Sequence, residues 1–328
     1  MRSFRAILPG IALSIAFLQG QQTFVSGPVE GFTFDPPTQS FRALIGLPGS
    51  ALFGPALASG FDSGSVAPHK NYAIGFQQGN CLLISALDSD QISTTSIAGL
   101  SGQPEAITWS ADGSVAVLYS RTGAWLQVLS GLPDAPRMGA SVDLSSLGGA
   151  LTAVVSDPQG KVIALAMQGD NGGAFLLTDV QKFAPLMPIA NPTALAFSED
   201  GASLYVLDGN SLQLDVVALS DGSSQTLSLD GLQDPFAIAA GRDLQNRQIV
   251  YVASRSDQDF RAYDRATQQL LADLPLDFKP TGIAALGRNS FVIAARSQTQ
   301  SPLWLFTNTP QPAVYFVPTP QPATGGSE

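Results

Sequence analysis

Apolar and polar positions alternate along this chain in short bursts closed by Gly, Asp, Asn or Pro, and no window holds the helical period of an amphipathic helix. The stretch SEDGASLYVLDGNSLQLDVVALSDG, residues 198–222, shows the pattern as three strand-like runs separated by turn residues. It is one copy of several. Aligned on the small turn after the first run, SVAPHKNYAIGF, ITWSADGSVAVLY, AVVSDPQGKVIAL, LAFSEDGASLYVL, IAAGRDLQNRQIVYV and IAALGRNSFVIAA place their turns at Pro68, Ser110, Ser156, Ser198, Gly241 and Leu286. Successive turns are 42, 46, 42, 43 and 45 residues apart.

A third run follows in each unit (NCLLISAL, AWLQVLS, AFLLTDV, LDVVALS, FRAYDRA, LWLFTNT), and most units carry a fourth, such as QTLSLDG and QLLADLP. Four strands repeated with a period in the low forties predict an all-β fold, a β-propeller of four-stranded antiparallel blades. Such a sheet cannot cover both of its own faces, so the blades must pack face to face in a ring. The first strand of each unit is small and apolar (AITW, ALAF, AIAA, GIAA), as crowding around a central channel requires. The second is β-branched and aromatic (LYVL, IVYV, FVIA), which suits burial between neighbouring blades. Asp112-Gly113, Gln159-Gly160 and Asp200-Gly201 supply the positive φ of the hairpins between them. Six units are complete. A half-repeat, GFTFDPPTQSFRALIG (31–46), resembles the third and fourth strands of a preceding unit. It either clasps the C-terminal unit in a six-bladed ring or begins an incomplete seventh blade, and the reading favours seven positions.

SEDGASLYVLDG and RQIVYVASRSDQDFRAYDRATQQLLADL resemble the YVTN family of β-propeller repeats, WD-like units found in bacterial secreted proteins. Tyr205 and Val206 match the YV pair, and Asp264, Ala266 and Thr267 match the D-x-A-T turn, while Leu207 and Ala253 stand where the family has asparagine. The likeness runs over residues 61–320 and is clear in two units. It implies a scaffold, with relatives from sugar-lactone hydrolases to surface-layer and binding proteins, so it does not choose a function.

The amino terminus, with Arg2 and Arg5 ahead of an apolar run from Ala6 to Leu18 broken by Pro9 and Gly10, reads as a signal peptide over residues 1–22. That run falls short of the ~20 residues needed to span a bilayer. A single propeller domain is expected over 23–319 and a flexible Pro/Gly-rich tail over 320–328, in a secreted or periplasmic protein. The formal net charge is −10, and an acidic chain repels phosphates, which excludes general nucleic-acid binding. Only Glu30, Glu105, Glu199 and Glu328 are glutamates; the other acids are aspartates, which favour turns over helices. The single cysteine, Cys81, lies in an apolar run and is expected to be buried without a disulfide.

Candidate chemistry centres on the face, here called upper, that carries the loops leading into each first strand and those joining second to third strands. Gln103, Asn191, Asp234 and Lys279 each precede a proline there. The prolines fix the extended lead into the strand, and the polar residues either face solvent or ring the mouth as hydrogen-bonding groups for a polar ligand. Arg121, Arg255 and Arg296 occupy comparable loop positions and offer two-pronged recognition of a carboxylate or phosphate, unless they pair with nearby aspartates. The single histidine, His69, lies on the opposite face, which leaves a Ser-His-Asp or Cys-His mechanism without a base at the upper one. No His or Cys cluster suits zinc. A calcium-dependent hydrolase would need converging oxygens, for which Asn191 and Asp234 are candidates from adjacent blades. The Asp-rich turns around Asp88 and Asp257 lack the glycine and terminal glutamate of an EF-hand loop. The sequence therefore favours a noncatalytic scaffold, without a cofactor, that binds a protein or a small polar or anionic ligand. A metal-dependent, lactonase-like hydrolase with its site in the channel is the alternative, and surface-layer assembly a third reading.

Overall fold

The computed structural model describes residues 27–179, 182–287 and 289–320; the signal-peptide segment and the residues after 320 lie outside them. The described chain is all β apart from two single-turn 3-10 segments, and its strands form seven antiparallel sheets arranged as the blades of a ring. Blade 1 has three strands, β1 (Val29–Asp35), β2 (Ser40–Ile45) and β3 (Leu52–Ser59). Blades 2 to 7 follow in chain order, with inner strands Ser63–Val66, Ala106–Trp109, Ala150–Ser156, Pro192–Phe197, Pro235–Arg242 and Ala284–Gly287. Each then steps outward through its second, third and fourth strands. In blade 3 the fourth strand is split into Arg137–Met138 and Val142–Asp143, both paired with the third.

The core is distributed, with one apolar cluster at each of the seven blade interfaces. The two-residue period of the second strands divides side chains between neighbours. In blade 5, Leu204 and Val206 pack toward blade 4, whereas Tyr205 and Leu207 pack toward blade 6. In blade 4, Leu165 and Met167 face blade 3 and Ala164 and Ala166 face blade 5. Small residues on one side thus meet large ones from the next blade, which lets twisted sheets sit close. The turn after the inner strand is fixed by its own sequence. Ser198 Oγ donates to Asp200 at 2.6 Å and accepts from Ser203 N at 2.9 Å, while Gly201 takes φ +71°. Hydrogen bonds from the Ser198 hydroxyl and the Ala202 amide hold the Asp200 carboxyl below the usual range. Ser110, Asp112 and Gly113 repeat this arrangement in blade 3, with φ +77° at the glycine.

Blade 1 differs from the others in direction. Its first strand begins at the lower face, where Ser290 Oγ donates to the Glu30 carboxylate and Gly31 packs on Leu286. It ends at the upper face, where Asp35 meets Arg296 from the loop between the second and third strands of blade 7. β1, β2 and β3 therefore run in the directions of the second, third and fourth strands of a complete blade, and β1 lies beside the inner strands of blades 2 and 7. Residues 31–46, read from the sequence as third and fourth strands, are shifted by one strand. The signal missed was the reversal at Asp35-Pro36-Pro37, a 3-10 turn on the upper face rather than a lower-face Asp-Gly hairpin. Among the described residues no strand is exchanged with the C-terminal blade, whose four strands all come from residues 284–317. The seventh position is a separate blade and the ring closes through side chains.

Cys81 sits on the third strand of blade 2, 1% exposed, in the cluster facing blade 3. Burial pushes its thiol up to about 12. The native protein is expected to resist Ellman's reagent at pH 8 and to release one equivalent of thionitrobenzoate per chain once unfolded in guanidinium; fast reaction of the native form would contradict this packing.

Candidate functional site at the lower mouth of the channel

The upper face holds the residues singled out from sequence, and it divides them. Pro104, Pro192, Pro235 and Pro280 are buried at or just ahead of the inner strands, while Gln103 and Lys279 are exposed and Asn191 and Asp234 half-buried. Asn191 accepts from Gln168 Nε2 at 2.7 Å and donates to Asn210 Oδ1 at 3.1 Å, bridging the loops of blades 4 and 5. Asp234 accepts from the Ser256 hydroxyl at 3.2 Å within blade 6. Arg121 lies over the Tyr119 ring at 5.7 Å and Arg255 over Phe236 at 4.1 Å, so both guanidinium planes rest on aromatic side chains of their own blades. Arg296 is only 3% exposed: Nη1 bonds both oxygens of Asp35, at 2.7 and 2.8 Å, Nε donates to Ser301 O at 2.8 Å, and Nη2 donates to Thr299 O. It is a closing pin between blades 7 and 1. Among the described residues no three His, Cys, Asp or Glu side chains are grouped so as to hold a metal ion.

The larger cavities open elsewhere. A chamber of about 390 Å³ follows the channel down to the lower face, its wall supplied by the inner strands of blades 2 to 7 and by none of blade 1. Its lining is mainly apolar, with Ile107, Trp109, Phe197, Ile238, Ile283 and Phe291 around the circumference. The polar end of Trp109 is satisfied inside the wall, Nε1 donating to Ser65 Oγ at 2.8 Å. Small residues at the narrowest radius, such as Ala239, Ala240, Ala284 and Ala285, keep it open.

Below the chamber lies a vestibule of about 940 Å³, bounded by the first residues of β1 and by lower turns of blades 2, 5, 6 and 7. Chamber and vestibule adjoin at His69, Glu199 and Gly287, which line both. The direction of β1 helps to shape the vestibule, because its beginning, Val29 to Phe32, stands at the rim where other blades place a tight turn. The rim is charged. Arg242 Nε pairs with Glu199 at 2.6 Å across blades 5 and 6, and Arg242 Nη1 reaches Asn246 O at 3.1 Å. Asp243 is buried enough for desolvation to raise its carboxyl, but hydrogen bonds from the backbone and side chain of Arg247 outweigh that and hold it lowered.

No family model and no curated protein matches the chain. Solved structures do. One, titled a crystal structure of a nidogen/laminin complex, aligns at 16% identity with a TM-score of 0.50 over 76% of this chain and 92% of that one. Another, dihydro-heme d1 dehydrogenase NirN in complex with DHE, aligns at 14% identity with a TM-score of 0.57 over 94% of this chain and 67% of that one. They share the propeller with this chain. At these identities the likeness extends to fold alone, and the site must be argued from its own residues.

Those residues were missed because the reading weighted the upper loops. A signal was available. Two of the four glutamates in an aspartate-rich chain, Glu30 and Glu199, stand at the lower mouth, beside the single histidine. The apolar chamber was foreshadowed by the small and apolar first strands, but which of their positions face the channel depends on ring geometry.

Proposed function

We propose that the protein is a secreted, noncatalytic propeller of the YVTN-like type that binds a ligand through the lower mouth of its channel. The carrying observation is that an apolar chamber adjoins a charged vestibule at His69, Glu199 and Gly287. An apolar wall supplies affinity, and a few polar groups at one end supply orientation, the usual composition of a ligand site. Apart from the rim residues His69 and Glu199 the chamber lining has no carboxylate or imidazole to activate its Ser and Thr hydroxyls, which suits capture rather than turnover. Among the described residues no helix is long and apolar enough to cross a membrane.

A neutral apolar dye, N-phenyl-1-naphthylamine, tests the site directly. Its emission is expected to rise and saturate with the native protein. An Ala285→Trp variant, which places an indole at an exposed channel position, should weaken binding about tenfold or more. An Arg121→Ala/Arg255→Ala variant of the upper face should bind as the parent does. Loss in the arginine variant with retention in the tryptophan variant would move the site to the upper face.

A further inference from the structure

Resting on that reading of the lower mouth, the rim identifies the class of ligand. Its lysine and arginine are fewer than its carboxylates: Arg242 is paired with Glu199 at 2.6 Å, which leaves Lys70. Two of its carboxylates meet neutral donors instead. Glu30 accepts from the Ser290 hydroxyl and Asp88 from Asn71 Nδ2 at 2.7 Å, and among the described residues neither lies in an ion pair. The rim therefore carries more carboxylates, Glu30, Asp88, Glu199 and Asp243, than lysine and arginine, Lys70 and Arg242, directly below a wall of Ile, Trp and Phe side chains. A guest that is apolar throughout would leave the vestibule wet, and an anionic guest would meet Glu30 and Asp88 with like charge. A narrow chamber of about 390 Å³ above a wider vestibule of about 940 Å³ also favours an elongated guest with its bulkier group at the mouth.

We propose that the channel takes a cationic amphiphile, with its hydrocarbon or aromatic body in the chamber and its positively charged head at the carboxylates of the rim not held in ion pairs, Glu30 and Asp88. Attraction at a solvated rim is modest and screened by salt, so the apolar body sets most of the affinity and the head sets the preference. The preference is read by comparing guests of equal chain length.

The test is a submicellar titration of the native protein with dodecyltrimethylammonium and with dodecyl sulfate, each displacing bound N-phenyl-1-naphthylamine, at low and high salt. Dodecyltrimethylammonium is expected to displace the dye at a concentration about fivefold or more below that of dodecyl sulfate, with the gap closing as salt rises. A Glu30→Gln/Asp88→Asn variant, each detergent being read against that variant's own dye affinity, should shrink the gap. Equal displacement by the two detergents, or a gap unchanged in that variant, overturns the cationic assignment. Failure of the dye itself to bind overturns the lower-mouth site as well, whereas dye binding without a detergent preference overturns the cationic assignment alone.

Discussion

Replacing Arg296 by alanine is expected to lower the stability of the fold by about 3–5 kcal/mol, because it strands the Asp35 carboxylate inside the protein. Asp35 is 1% exposed and receives both Arg296 contacts, with Arg42 Nε at 3.3 Å and the Thr38 hydroxyl at 2.5 Å beside it. Arg42 is itself desolvated, which lowers its guanidinium, although the coulombic field of Asp35 acts against that. One remaining cation at the longer distance does not replace a guanidinium nitrogen that reaches both carboxylate oxygens. The pair also joins the first blade to the last across 261 positions of sequence, at a closure no shared strand secures. The loss should appear as a fall in the urea midpoint. Changing both partners, as Asp35→Leu/Arg296→Met, should recover much of it, since a buried pair exchanged for apolar groups is often neutral. An Arg296→Ala protein as stable as the parent would mean that closure rests on the apolar cluster alone.

The second large effect is expected at Phe306, on the third strand of blade 7. Its ring lies 4.5 Å from Phe260 and 5.0 Å from Tyr251, both in blade 6, and 6.2 Å from Phe291. Four aromatic residues thus fill one blade interface, with Phe306 fully buried among them. Phe306→Ala should cost about 3–5 kcal/mol, through lost burial and a cavity that neighbouring strands, held by their ladders, cannot collapse to fill. Phe306→Leu should cost less than half of that. Thermal unfolding of the two variants checks the order, and a small loss in the alanine variant would show that the interface repacks.

How much of this was legible follows from what repeats. The lower turns of blades 3 and 5 were readable because Ser110-x-Asp112-Gly113 and Ser198-x-Asp200-Gly201 close them by local hydrogen bonds that depend on nothing distant. Blade interfaces were readable in kind, since runs such as LYVL and IVYV must bury both faces. Blade 1 was only half readable. Gly31 to Gly46 announces two strands, but their phase is set by where Asp35 and Glu30 dock on blade 7, contacts spanning 260 residues or more. The same distance explains Arg296, which shares its loop position with Arg121 and Arg255 but alone finds a buried acid. The candidate site was least legible: the chamber is lined by residues from six blades, each bland by itself.

The measurement that bears most directly on the account is hydrogen exchange by mass spectrometry with and without saturating N-phenyl-1-naphthylamine. The account predicts slower exchange in peptides from the lower turns and inner strands, 65–72, 107–111, 196–202 and 283–287, with 121–124 and 255–258 on the upper face unchanged. Protection confined to those upper loops, or absent throughout, would contradict a ligand seat at the lower mouth.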